Sequence, residues 1–134
     1  MAAPKGSAST VLVVEDDPDC REVVVRILED AGYLVRAVPT SLECLNLLSE
    51  GETFDLVVSD VMMPKSIPHG FALGRMLRTR HPGQKLLYLS GYVDALPSSE
   101  LSTADAPVLA KPVPASELLD TVRRVLDGET YDIS

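Results

Sequence analysis

Apolar residues along this chain come in short continuous runs that alternate with stretches of helical spacing. Residues 10–14 (TVLVV) form a β-branched run closed by the acids of EDDP, which predicts a buried strand. Asp17 then suits a helix cap and Pro18 a first helical position. Cys20, Val23, Val24, Ile27, Leu28 and Ala31 recur on one helical face until Gly32 ends it. Residues 33–38 read as a second strand. Thr40 and Glu43 have the spacing of a capping box, opening a helix through Leu42, Leu45 and Leu48 that Gly51 stops. Residues 54–59 give a third strand, 70–80 a helix broken by HPG, and 84–90 a fourth strand. A weaker helical segment follows Val93, and residues 107–110 give a short fifth strand. A last helix carries Leu118, Leu119, Val122, Val125 and Leu126, and starts around PVPAS without a hydroxyl cap.

Five rounds of strand then helix, with strands that are apolar throughout, predict a parallel sheet covered on both faces. The expected fold class is α/β, taken as a flavodoxin-like, doubly wound (βα)5 three-layer sandwich with strand order 2-1-3-4-5. At 134 residues, 46% hydrophobic and 24% charged, the chain fits one domain over 10–127, between a flexible tail at 1–9 and a frayed end at 128–134. A net charge of −8 argues against a nucleic-acid partner, whose phosphates need a basic footprint. No stretch has the length of a membrane span, and residues 1–9 lack the apolar segment of a signal peptide. The expectation is a cytoplasmic protein with no membrane partner. Cys20 and Cys44 have neither metal nor redox spacing and read as buried small apolar residues. His69 and His81 read as surface histidines, and Arg75, Arg78 and Arg80 as a solvated helix face.

The polar residues that interrupt this pattern gather at strand ends. In VVSDVMMP, Asp60 closes an apolar run, where an unpaired buried carboxylate would be costly. It reads as exposed at the strand end. The first strand ends in Glu15, Asp16 and Asp17, the fourth in Ser90, and the fifth at Lys111. In a parallel sheet all these ends share one edge, where ligands bind. With the order 2-1-3-4-5, Asp16 and Asp60 stand roughly 5 Å apart, and Lys111 lies about 10 Å from Asp60 at the backbone, a gap its side chain largely crosses. Crowded carboxylates repel, and a divalent cation resolves that repulsion; an oxygen-only donor set suits Mg²⁺. Lys111 and Ser90 suit phosphoryl oxygens, and an aspartate between metal and lysine suits a phosphoryl acceptor. Asp17 reads as a helix-start acid that the dipole favours.

VLVVEDD (11–17), SDVMMP (59–64), YLSG (88–91) and AKP (110–112), in that order, resemble the receiver domain of two-component response regulators. HPGQKLLYLSGYVD is similar to receivers attached to hybrid sensor histidine kinases. The resemblance implies that Asp60 is the phosphoacceptor, with Glu15, Asp16 and the Met62 backbone carbonyl at the Mg²⁺ site. It implies Ser90 as the switch hydroxyl, Lys111 as the lysine that pairs with the phosphoryl group, and a cis Lys111–Pro112 bond. The implied partners are a histidine kinase, separate or in the same polypeptide as in a hybrid kinase, or a phosphotransfer protein, and a downstream protein met on the face of the fourth helix, fifth strand and last helix. The chain would be a monomer or a phosphorylation-dependent dimer, and no enzyme beyond its own phosphorylation and dephosphorylation. Three departures stand out: Val108 where the family has an aromatic residue, a longer loop (KSIPHG) after MMP, and the uncapped last helix. Val108 keeps open a degenerate receiver acting as a scaffold. An aspartyl-intermediate phosphatase would want an acid at Met62, and a flavin carrier a hydroxyl- and glycine-rich loop in place of EDDP. Met62 and Tyr92, which flank the attacking-water path in the resemblance, are bulky and orient water poorly. The expected outcome is a phospho-Asp60 half-life in Mg²⁺ well beyond seconds, measured by mass; decay within seconds would contradict it.

Overall fold

The computed structural model describes residues 8–61, 70–91 and 106–128. Within them the chain runs β1 (Thr10–Val14), α1 (Pro18–Asp30), β2 (Leu34–Val38), α2 (Ser41–Ser49), β3 (Leu56–Asp60), α3 (Gly70–Arg80), β4 (Lys85–Ser90), β5 (Val108–Ala110) and α4 (Ala115–Leu126). All neighbouring strands pair in parallel, in the order β2-β1-β3-β4-β5. That is the predicted order. The helical segment expected after Val93, the loop residues 65–69 (KSIPH) with His69, and the two terminal tails lie outside the described residues, apart from the points where the tails join the fold.

Strand alternation divides the core in two. Leu12, Val14, Val57, Leu86 and Tyr88 pack with Cys44 of α2 and with Leu73 and Leu77 of α3. Val11, Val13, Leu56, Val58, Leu87 and Leu89 pack with Val24 and Leu28 of α1 and with Leu118 and Val122 of α4. The central strands β1, β3 and β4 are thus buried on both faces, as their unbroken apolar runs require. β2 differs. It is an edge strand with Leu34, Arg36 and Ala37 exposed, so its apolar run reflects an edge position rather than full burial.

The helix ends follow their sequence signals. The Asp17 carboxylate accepts from the Asp19 N–H at 3.2 Å, with Pro18 following in the first turn. The Thr40 hydroxyl accepts from the Glu43 N–H at 3.2 Å. α4 begins at Pro114 without a side-chain cap, as expected. Arg78 departs from the solvated-face reading: its Nε donates to the Gln84 carbonyl at 2.6 Å, tying α3 to the start of β4. Arg75 and Arg80 are exposed.

One contact could not be read from periodicity. A Cβ on Gly74 of α3 would lie 1.8 Å from the Tyr88 hydroxyl oxygen and 2.9 Å from its ring. Tyr88 is 2% exposed, so its rigid ring has nowhere to retreat. Alanine normally gains up to about 1 kcal/mol over glycine inside a helix; overpacking costs about 1–3 kcal/mol, and here it wins. Gly74→Ala is therefore expected to lower stability in urea denaturation. Adding Tyr88→Phe should recover part of the loss, a non-additive cycle. Strict additivity would show that the two residues do not meet.

Candidate functional site

The backbone ladder continues past the strand ends and carries the polar residues with it. The Glu15 N–H donates to the Val38 carbonyl at 3.1 Å, the Val61 N–H to Leu89 at 2.8 Å, and the Lys111 N–H to Ser90 at 2.8 Å. Register pairs Val14 with Ser59, Asp60 with Leu89, and Ser90 with Ala110. Glu15, Asp60, Ser90 and Lys111 consequently converge on the C-terminal edge of the sheet.

At that edge Lys111 Nζ donates to Glu15 Oε1 at 2.5 Å and to Asp60 Oδ2 at 3.1 Å. The other Glu15 oxygen accepts from the Asp17 N–H at 3.1 Å, and Arg21 of α1 donates to the Glu15 carbonyl at 2.8 Å. The acidic loop is therefore pinned from three sides. Glu15, Asp16 and Asp60 each offer a carboxylate oxygen within 4.8 Å of the others. Asp60 is only 5% exposed, Glu15 2% and Ser90 0%, whereas Asp16 is partly exposed.

Two readings from the sequence need correction. Asp60 is buried rather than exposed, because Lys111 pairs with it and offsets the cost of desolvating its charge. Cys20 is only partly buried, and its thiol is hydrogen-bonded to the Asp17 carboxylate, which raises the thiol and lowers Asp17 from their ordinary values. Cys44 is buried as expected, its thiol pushed up to about 12 by desolvation. Both cysteines are free. Met62 and Tyr92 lie outside the described residues. The Lys111–Pro112 bond is cis.

The electrostatics follow from burial. Desolvation raises the Glu15 carboxyl even though the Lys111 hydrogen bond pulls it down. Asp16 is raised by desolvation and by the neighbouring Glu15. Burial works against the Lys111 charge, but the Glu15 hydrogen bond and the Asp60 and Glu15 carboxylates outweigh it and hold the ammonium above its usual value. Among the described residues Lys111 thus faces three carboxylates, leaving the site short of positive charge. Hard oxygen donors at this spacing fit a small divalent cation. Sequence spacing foresaw Lys111 near Asp60, but not its bond to Glu15 one strand further on. That link depends on the side chain's conformation, which no motif encodes.

Beside Lys111, Cys20, Val23 and Ile27 of α1 face Leu89, Pro112 and Val113 across an apolar groove of about 240 Å³. Val23 on its wall is 57% exposed. No helix among the described residues is long and apolar enough to cross a membrane.

Known proteins match this arrangement. The family model of the response regulator receiver domain matches residues 11–123. The sensor kinase CckA of Brucella abortus is 37% identical over 130 residues, covering 96% of this chain but 14% of that protein. The response regulator receiver protein CpdR of Brucella abortus is 32% identical over 117 residues, covering 87% of this chain and 95% of the relative. A CheY-like receiver domain protein from Methanospirillum hungatei superposes with a TM-score of 0.78 at 31% identity, covering 91% of this chain and 96% of that one. Sequence motifs, strand order and the matched span agree, and the chain belongs to the response regulator receiver domain family.

Proposed function

We propose that this domain takes a phosphoryl group onto Asp60 from a phosphohistidine of a histidine kinase or phosphotransfer protein, and signals through protein contact. The observation that carries this reading is Lys111 bonded at once to Asp60 and Glu15, with three carboxylates converging beside it. An Asp60 carboxylate oxygen forms the new P–O bond as the N–P bond of the phosphohistidine breaks. The imidazole leaves with that bond's electron pair, and Asp60 becomes an acyl phosphate. Glu15, Asp16, Asp60 and the Met62 carbonyl would hold Mg²⁺, which when bound supplies charge neutralisation between the acids and the phosphoryl oxygens. Lys111 supplies a point charge to one phosphoryl oxygen and the Ser90 hydroxyl a hydrogen bond to another. Both sit on neighbouring strands of the same edge, so the site assembles without moving the sheet.

The apolar groove between α1 and Val113 opens beside Lys111 and suits an apolar helix of the phosphodonor. Phosphorylation then shifts a population, because Lys111 and Ser90 bond the phosphoryl group in one conformer better than in the other. The domain would work as a signalling module in the cytoplasm, as a monomer or a phosphorylation-dependent dimer. A place as one module of a hybrid kinase fits as well, since the chain spans only 14% of CckA. A second reading, a scaffold that works without phosphorylation, draws support from Val108, a partly buried aliphatic residue beside Tyr88.

The test is intact mass after incubation with acetyl phosphate and Mg²⁺, beside Asp60→Asn and a chelated control. The expected outcome is a gain of one phosphoryl group, lost in both controls. No gain from acetyl phosphate or from a cognate kinase would favour the scaffold.

A further inference from the structure

Charge is segregated along this chain. Residues 61–93 contain no aspartate or glutamate, yet hold five of the chain's 12 Lys and Arg residues and both histidines. The fold gathers part of that stretch at the edge of the sheet opposite Asp60. There a cleft of about 520 Å³ opens between the C-terminal ends of α3 and α4 and the starts of β3 and β4. Arg80 and Lys85 supply its positive charge, His81 adds a hydrogen-bonding ring, and Phe54 and Leu126 line it with apolar surface. Arg80 and His81 are exposed at its mouth. Lys85 Nζ donates to the Leu126 carbonyl at 2.7 Å, which fixes that ammonium at the end of α4. Asp55 also lines the cleft, with one oxygen accepting from the Thr10 N–H at 2.8 Å and from its hydroxyl at 3.2 Å.

We infer that this cleft binds a short acidic peptide segment of a partner protein, with carboxylates on either side of an apolar side chain. The cations match the carboxylates and the Phe54–Leu126 surface matches the apolar group. Asp55 leaves too little positive charge for a compact polyphosphate. A nucleic acid needs an extended basic footprint, and the exposed faces of α1 and α4 carry acids instead, among them Glu22, Asp30, Asp120 and Asp127. A few-residue peptide avoids them. On an otherwise acidic surface the cleft also orients an acidic partner as it approaches. It lies roughly 17 Å, one strand length, from the Asp60 edge. A partner held there leaves Asp60 and the α1 groove free, so binding and phosphorylation proceed together.

The experiment follows amide resonances of the ¹⁵N-labelled full chain while the capped peptide Glu-Asp-Phe-Glu-Asp-Leu is added, with Lys-Lys-Phe-Lys-Lys-Leu and a short DNA duplex as comparisons. Saturable shifts are expected at His81, Gly83 and Gln84, with none from the basic peptide. Arg80→Glu and, separately, His81→Glu should each weaken binding about tenfold. Raising NaCl from about 50 to about 300 mM should weaken it further. Acetyl phosphate should label Asp60 equally with and without the peptide. Absence of shifts at about 2 mM peptide, or binding indifferent to Arg80→Glu in a variant with a folded spectrum, would overturn the inference. Tighter binding of the duplex would overturn it in favour of a nucleic acid. Concentration-dependent shifts of the same residues without peptide would overturn it in favour of a second copy of the chain.

Discussion

The Lys111 ammonium holds the functional edge of this protein together. It bridges Glu15 and Asp60, two carboxylates buried almost completely at adjacent strand ends. Without a cation between them, neither charge would be tolerated at that burial. Much else exists to deliver that ammonium. β5 is only three residues long, but its register on β4 and the Lys111 N–H bond to the Ser90 carbonyl fix where the lysine starts. From there its side chain passes Asp60 and reaches the loop after β1. Asp17 and Arg21 hold that loop from the other side, so the start of α1 serves the site as much as it serves the helix.

The same bridge defines what the site can do. A cation shared by two carboxylates is available to a third acceptor, and a phosphoryl group on Asp60 would be one. Glu15 is already raised by desolvation and by the Asp60 charge, and Asp16 by desolvation and by Glu15, so a divalent cation competes with protons and with Lys111 for the same oxygens. The resting arrangement is thus a closed set of charges that both metal and phosphate would reopen.

Strand order and the identity of the edge residues were legible because both rest on local signals. Continuous apolar runs mark β1, β3 and β4, and polar residues appear where those runs stop. The burial of Asp60 was not legible, because a strand-end carboxylate is exposed or buried according to a partner 51 residues away in sequence. Cys20 matched a helical apolar face, yet it lies at the rim of that face, where Asp17 engages its thiol. Arg78 looked like surface charge until the turn into β4 brought the Gln84 carbonyl beneath it. Gly74 carried no signal either: a glycine inside a helix has meaning only once Tyr88 is seen pressing against it. The two sheet edges also differ chemically, with three carboxylates and Lys111 at one, and Arg80, Lys85 and His81 beside a single carboxylate, Asp55, lining the cleft at the other. That separation is visible in the sequence as an acid-free stretch, but only the fold turns part of it into a surface.

The most direct test of the account is urea unfolding of the wild type and of Lys111→Met, each with and without millimolar Mg²⁺. Removing the ammonium leaves the buried carboxylates unmatched. Without metal, the variant should lose about 2–3 kcal/mol, somewhat less than for a fully buried pair because the lysine side chain is 19% exposed. Mg²⁺ should then restore more stability to the variant than it adds to the wild type, since it no longer competes with the lysine. Equal stability without metal, together with an equal response to Mg²⁺, would contradict the claim that Lys111 holds this edge together.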